Sequence, residues 1–480
     1  NLNYREREYD IAVAYHADMN FTMIRNWVGQ IGDKEFYEAC DRHGIMVWQD
    51  FWLANPVDGP NPYYTEMFNA NACDYLKRIR NHPSIGIYVG RNEGNPPAGI
   101  DDYLRGLVFR EHPGLYYISN SAMGVVSGGG PYRALSPKSY FQSYGHDKFH
   151  SERGMPNVMN YESMLLTFGT DKIEPVNTSE TPNPVYGLHD YTLGGGKGSS
   201  AQAASSFNDM IEKAFGRPRD AKQFAEWAQW INYDGYRAIF EGRSEHRRGM
   251  LLWMSHSAWP SMVWQTYDYY FDPNAAYFGC KKASEPLHIQ WNPLRDDIEV
   301  VNYHAFDRTG LTATASLFNQ DGTLQWTRET KLDIKEDQTV ACFPLEQPET
   351  LSDTYFIKLS LTDSDGKQLS DNFYWRGKED GNYKSLLQLP KVSVCKNVTV
   401  KKTGKEWLIR AVLKNEARTP ALMLRLKVAG EKSGRMLLPV FYSDNYFSLL
   451  PGEVKEVDIR LYDADTYGEK PVLEVLGFNL

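Results

Sequence analysis

The chain has 480 residues, with 52 Lys and Arg against 61 Asp and Glu, a net charge of -9. At about 150 residues per domain that length predicts about three domains, and 42% hydrophobic with 24% charged residues is ordinary globular composition. No window approaches the ~20 apolar residues of a membrane-spanning helix, and a mildly acidic chain is ill suited to phosphate backbones, so neither a membrane nor a nucleic acid is expected as a partner.

In chain order, an amphipathic helix is predicted around Tyr4–Asp18, then a short strand over Phe21–Asn26. A helix through Glu35–Arg42 stops at His43-Gly44, a usual C-terminal stop. Ile45–Asp50 is an apolar run of the kind buried on both faces of a parallel sheet. A helix over Met67–Arg80 precedes a strand over Ile85–Gly90, which closes on Arg91-Asn92-Glu93. Further strands are predicted at Leu115–Ser119, weakly near Pro131–Leu135, at Lys148–Ser151 and at Met250–Trp253, with a long helix over Gln223–Phe240 before the last. Alternating helices and strands argue for parallel βα architecture. The count is seven strands preceded by a helix, which reads as an irregular (β/α)8 barrel lacking its first strand.

From about residue 298 the text changes to alternating, β-branched runs such as Thr312–Leu317, Tyr355–Leu361 and Leu408–Leu413, with turns at Asp321-Gly322, Asp365-Gly366 and Pro451-Gly452. That is the pattern of antiparallel β-sandwiches, two of them, joined near Arg376–Asn382. The predicted organisation is therefore a catalytic barrel over 1–290, a sandwich over 291–380 and a second over 381–480.

The chemistry should sit where barrel strands end. Arg25, Asp50, Asn92-Glu93 and Ser151-Glu152 all fall at such ends. One Glu at a strand end is ordinarily a salt bridge or loop cap. Two of them, each after an apolar strand and each followed by a Gly turn, suit a glycosidase pair, in which one carboxyl protonates the leaving oxygen and the other attacks the anomeric carbon. Aromatic content of 14% agrees with sugar stacking, although most rings belong in the core. Five widely spaced Cys without a CxxC pair, and His without an HxH or HExxH pair, predict no disulfide framework and no metal site. The Gly194–Ser199 stretch lacks phosphate-loop spacing and reads as a plain loop.

Several segments resemble glycoside hydrolase family 2. They are Ile24–Gly29, Phe36–Asp41, Gly44–Phe51, Arg80–Ile85, Gly90–Glu93, Ser151-Glu152 and Trp253–Pro260. Tyr267–Tyr270, Gly279–Ala283, Glu285–His288, Tyr442–Phe447 and Leu450–Glu453 are similar to its β-mannosidase and exo-β-glucosaminidase branch. The resemblance implies a retaining exo-glycosidase without metal or cofactor, acting on an oligosaccharide or glycan and releasing a mannosyl or glucosaminyl unit. By it Glu93 is the acid/base, Glu152 the nucleophile and Asn92 the ligand of the sugar's 2-substituent. Arg25 is expected beside the nucleophile, keeping it ionised, Asp50 on sugar hydroxyls, and Trp259 with Trp253 as the pocket floor. Family members carry a jelly roll, a sandwich and the first barrel strand ahead of the matching segment, so the chain is expected to be truncated at its N-terminus. A periplasmic or secreted location is expected on the same ground. The rival readings are a non-catalytic carbohydrate-binding protein and a β-galactosidase or β-glucuronidase of the same family.

Overall fold

The computed structural model describes residues 3–143, 148–178, 180–191, 204–245 and 248–480. The Gly194–Ser199 stretch lies outside the described residues. The chain divides into two compact units.

The first unit comprises Asn1–Pro131, His146–Gly154 and Arg248–Trp253. Helix α1 (Glu6–Asp18) starts with a capping box, in which Glu8 accepts the Arg5 N–H at 3.0 Å. Strand β1 (Met23–Asn26), helix α2 (Lys34–His43), β2 (Met46–Asp50), α3 (Thr65–Ile79), β3 (Ile85–Arg91), α4 (Ala98–Glu111) and β4 (Tyr116–Asn120) follow as repeated βα units. Three short strands, β5 (Val126–Ser127), β6 (Phe149–Arg153) and β7 (Met250–Leu252), complete the unit. Every pairing is parallel: β1-β2-β3-β4 form one sheet and β5-β6-β7 another. Seven strands are thus present among the described residues, in two ladders rather than one closed ring.

Buried Trp48, Val89, Val126 and Leu251 share one apolar cluster with Met23, Ile87, Ile118 and Phe149, so all seven strands feed a single core. The strand expected near Pro131–Leu135 is a correction: those residues form a loop, and the fifth strand lies upstream at Val126–Ser127. Pro131 has no N–H for a ladder, and Gly129 and Gly130 before it have positive φ. Among the described residues no helix stands between β4 and β5, and only the six-residue α5 (Pro137–Gln142) stands between β5 and β6, which accounts for the short spacing from Glu93 to Glu152.

The second unit comprises Tyr132–Gly145, Met155–Arg247 and Met254–Leu480. Besides α5 it holds α6 (Tyr161–Phe168), α7 (Pro184–Leu188), α8 (Ala204–Phe215), α9 (Ala221–Glu241) and α10 (Ala275–Ala283). Most of α9 is buried on all sides. Seven antiparallel strands between Leu287 and Gly377 form a three-stranded and a four-stranded sheet around a common core. Its Leu311, Ala313, Ala315 and Leu317 are buried at every second position, as the alternating text predicts. Seven more strands between Val394 and Leu476 form a further pair of four- and three-stranded sheets. No helix among the described residues is long and apolar enough to cross a membrane.

Candidate active site

The C-terminal ends of β1, β2, β3 and β6 converge on one guanidinium. Parallel register places Arg25 opposite Trp48, and strand periodicity sends the Trp48 and Asp50 side chains to the same face. Arg25 donates from Nη2 to Asp50 Oδ2 at 2.8 Å and from Nε to the same oxygen at 3.1 Å, a fork matched to a carboxylate. Its Nη1 meets Glu152 Oε1 at 2.6 Å, and Nη2 also reaches Asn92 Oδ1 at 2.8 Å. The side chains of Arg25, Asp50 and Glu152 are 5%, 0% and 5% exposed, so these contacts are screened little by solvent. Burial opposes the Arg25 charge, but Asp50 and Glu152 outweigh it and hold the guanidinium above its ordinary pKa.

Asp50 is anchored further by the protein itself. The Trp48 indole N–H donates to Oδ1 at 2.7 Å and the Val28 N–H donates to Oδ2 at 3.0 Å. Val28 has φ 44° and ψ 30°, the left-handed region that a β-branched residue rarely adopts, and its bond to Asp50 holds that turn. Both Asp50 oxygens are therefore occupied and the residue is fully buried. The expectation that Asp50 meets sugar hydroxyls does not suit this placement. The residue braces Arg25.

Asn92 and Glu93 follow β3. Asn92 N–H donates to Leu53 O at 3.0 Å, and its side-chain oxygen also accepts the Ser121 hydroxyl at 3.2 Å. Glu93 N–H donates to Ser121 Oγ at 2.9 Å. Glu93 itself sits at φ 45° and is half-buried, unlike buried Glu152. Few non-Gly residues adopt that conformation, and the Ser121 hydroxyl that accepts the Glu93 N–H holds it there.

Of the predicted aromatic residues, half-buried Trp253 directly follows β7 and meets Trp27 edge to face at 5.1 Å. Sequence reasoning passed over Trp27. Its indole nitrogen is buried without a hydrogen-bond partner among the described residues, two positions after Arg25. Trp259 belongs to the second unit. It is 43% exposed and stacks on His189 at 5.6 Å. Asp190 accepts a hydrogen bond from it, and the His189 Nδ1–H donates to Pro260 O at 2.6 Å. The strand ends thus bring Arg25, Asp50, Asn92 and Glu152 into one bonded set, with Glu93 adjacent to Asn92.

The profile of the exo-beta-D-glucosaminidase Ig-fold domain matches residues 372–480. The chain is 26% identical to a mannosylglycoprotein endo-beta-mannosidase of Lilium longiflorum, over 100% of this chain and 61% of that protein. It is 28% identical to an exo-beta-D-glucosaminidase of Streptomyces avermitilis, over 97% of this chain and 56% of the relative. Among solved structures, the Amycolatopsis orientalis exo-chitosanase CsxA superposes with a TM-score of 0.86 at 24% identity, covering 100% of this chain and 61% of the other. A beta-D-mannosidase from Dictyoglomus thermophilum gives 0.77 at 20%, covering 99% and 58%. The chain therefore spans 61% and 56% of the length of the two curated relatives. The chain is thus similar to β-mannosidases and exo-β-D-glucosaminidases, the branch of glycoside hydrolase family 2 that its motifs resemble.

Proposed function

We propose that this chain carries the catalytic centre of a retaining glycoside hydrolase that releases a terminal β-linked mannosyl or glucosaminyl unit from an oligosaccharide. The observation that carries the reading is the buried Arg25, bonded at once to Glu152, Asp50 and Asn92 with Glu93 beside it. In this reading the seven parallel strands belong to a (β/α)8-type barrel, supported by the single core they share.

Glu152 is the nucleophile. Arg25 balances its negative charge and fixes the carboxylate that attacks the anomeric carbon. Glu93 protonates the departing glycosidic oxygen, then removes a proton from the water that hydrolyses the glycosyl-enzyme. Two displacements return the original β configuration. Asn92 has its oxygen filled by Arg25 and Ser121, so its NH2 group is the part offered to the sugar's 2-substituent. Asp50 positions Arg25. Trp27 with Trp253 supplies aromatic faces for sugar rings. A periplasmic or secreted setting is part of the same reading.

The test is a panel of aryl β-glycosides offered to the full-length protein, with the first-formed anomer followed by NMR. Turnover of the β-mannoside or β-glucosaminide at least about tenfold above the β-galactoside, with β anomer first, supports the reading; ten-to-one is about 1.4 kcal/mol of transition-state discrimination. Preference for the galactoside, or α anomer first, counts against it.

A further inference from the structure

Two short loops connect the candidate carboxylates. The first follows β4, where Ser121 holds both Asn92 Oδ1 and the Glu93 N–H. Its neighbour Ala122 packs on the second loop, Gly128-Gly129-Gly130-Pro131. A Cβ added to Gly128 would stand 2.8 Å from the Ala122 Cβ and 3.2 Å from Ser151 Oγ. This second loop is fastened to β6 on both sides of Glu152. Ser151 donates its hydroxyl to Ser127 O at 3.2 Å, and Gly154 N–H donates to Pro131 O at 3.1 Å. Between the fastenings the loop reaches towards Glu93: a Cβ on Gly129 would lie 4.0 Å from Glu93 Oε1. Gly129 has φ 80°, where any side chain is strained.

We propose that the Gly128–Pro131 loop is the spacer that sets Glu93 against Glu152 and the wall against which the leaving group stands, with Ser151 as a positioning residue. The inference rests on the reading of these two glutamates as acid/base and nucleophile. Proton transfer works only within hydrogen-bond reach, about 2.6–3.2 Å between heavy atoms, so the acid must be held to a fraction of an ångström. Arg25 already fixes Glu152, whereas no cation is bonded to Glu93 among the described contacts. The loop provides a neutral alternative, pinned to the nucleophile's own strand. Having no side chain at 128–130, it leaves room beside Glu93 Oε1 for an uncharged aglycone.

Two variants of the full-length protein test this. Ser151→Ala removes one fastening while Arg25 still holds Glu152, so the loosened group is Glu93. With aryl β-glycosides graded from dinitrophenyl to phenyl, kcat/KM should fall about tenfold for phenyl, which needs protonation, and less than about twofold for dinitrophenyl. Gly129→Ala puts a methyl into the leaving-group space. It should cut activity on a disaccharide about tenfold and on a glycosyl fluoride, whose leaving group is one atom, less than about threefold. Either variant decides the matter if the other does not fold, as checked by melting. Equal losses across a substrate series, or no loss, would overturn the inference. A wild-type protein that hydrolyses none of these substrates would instead refute the proposed function.

Discussion

Replacing Asp50 by asparagine probes the buried cluster most sharply. Oδ1 accepts the Trp48 indole N–H at 2.7 Å and Arg25 Nε at 3.3 Å. Oδ2 accepts Arg25 Nη2, Arg25 Nε and the Val28 N–H at 2.8, 3.1 and 3.0 Å. Whichever way the new amide turns, its NH2 faces donors, and Arg25 keeps Glu152 as its one charged partner. Removing one member of a buried pair costs about 3–5 kcal/mol. At about 2–4 °C per kcal/mol for a domain of this size, melting should fall by roughly 6–20 °C. With Arg25 displaced, kcat on an activated aryl glycoside should fall about 100-fold, the scale of a 1 Å misplacement. Calorimetry and initial rates on the full-length protein measure both. Glu38→Gln is the control. It breaks the Lys34–Glu38 surface pair, whose side chains are 70% and 35% exposed, and should leave melting within about 2 °C of the parent. An Asp50→Asn protein that melts within about 2 °C of the parent and retains a third of its activity would refute the bracing role.

Four further outcomes follow from the geometry. Glu93→Gln should spare the first step for dinitrophenyl glycosides, and azide should restore turnover by attacking the glycosyl-enzyme; absence of azide rescue in rate assays would count against Glu93 as acid/base. Gly154→Ala should fail to give folded protein by circular dichroism, because its Cβ would lie 1.8 Å from Trp253 O; a native melt would contradict this. Trp27→Phe should lower kcat/KM by about tenfold while leaving melting within a few degrees, because the indole N–H it removes has no protein partner. Burial, then neighbouring Asp272, pushes Asp268 up to about 7, and burial lifts Asp272 to about 6 against the pull of Arg425. An acid raised on folding binds more protons when folded, so its contribution weakens as pH climbs from near 3.8 through about 7. The melting temperature should therefore decline from pH 5 to pH 8, and Asp268→Asn should flatten that decline; parallel slopes would exclude the pair as its source.

The legible parts of the fold were those with long, uniform signals. The runs at Ile45–Asp50 and Ile85–Gly90 read as buried parallel strands because they are apolar on both faces, and the alternating text after residue 298 read as antiparallel sheet. Strand β5 was illegible because two paired residues carry no period, and the loop after it is all glycine and proline. In the site, Arg25, Asn92, Glu93 and Glu152 stood out as polar groups at the ends of apolar strands. What Asp50 does was hidden, because it depends on the Val28 turn at positive φ, which no local pattern announces. Trp48 is a core residue, but its indole N–H also holds Asp50. Trp27 was missed for a similar reason: only the surroundings of its nitrogen distinguish it from a packing tryptophan.

The most direct test of the central claim is to trap the covalent intermediate. A fluorosugar substrate with a good leaving group forms the glycosyl-enzyme faster than water removes it, and peptide mass mapping then locates the adduct. The geometry, with Arg25 holding one Glu152 oxygen at 2.6 Å, predicts the label on Glu152. An adduct on another carboxylate, or continued turnover of substrate with no adduct formed, would contradict the account.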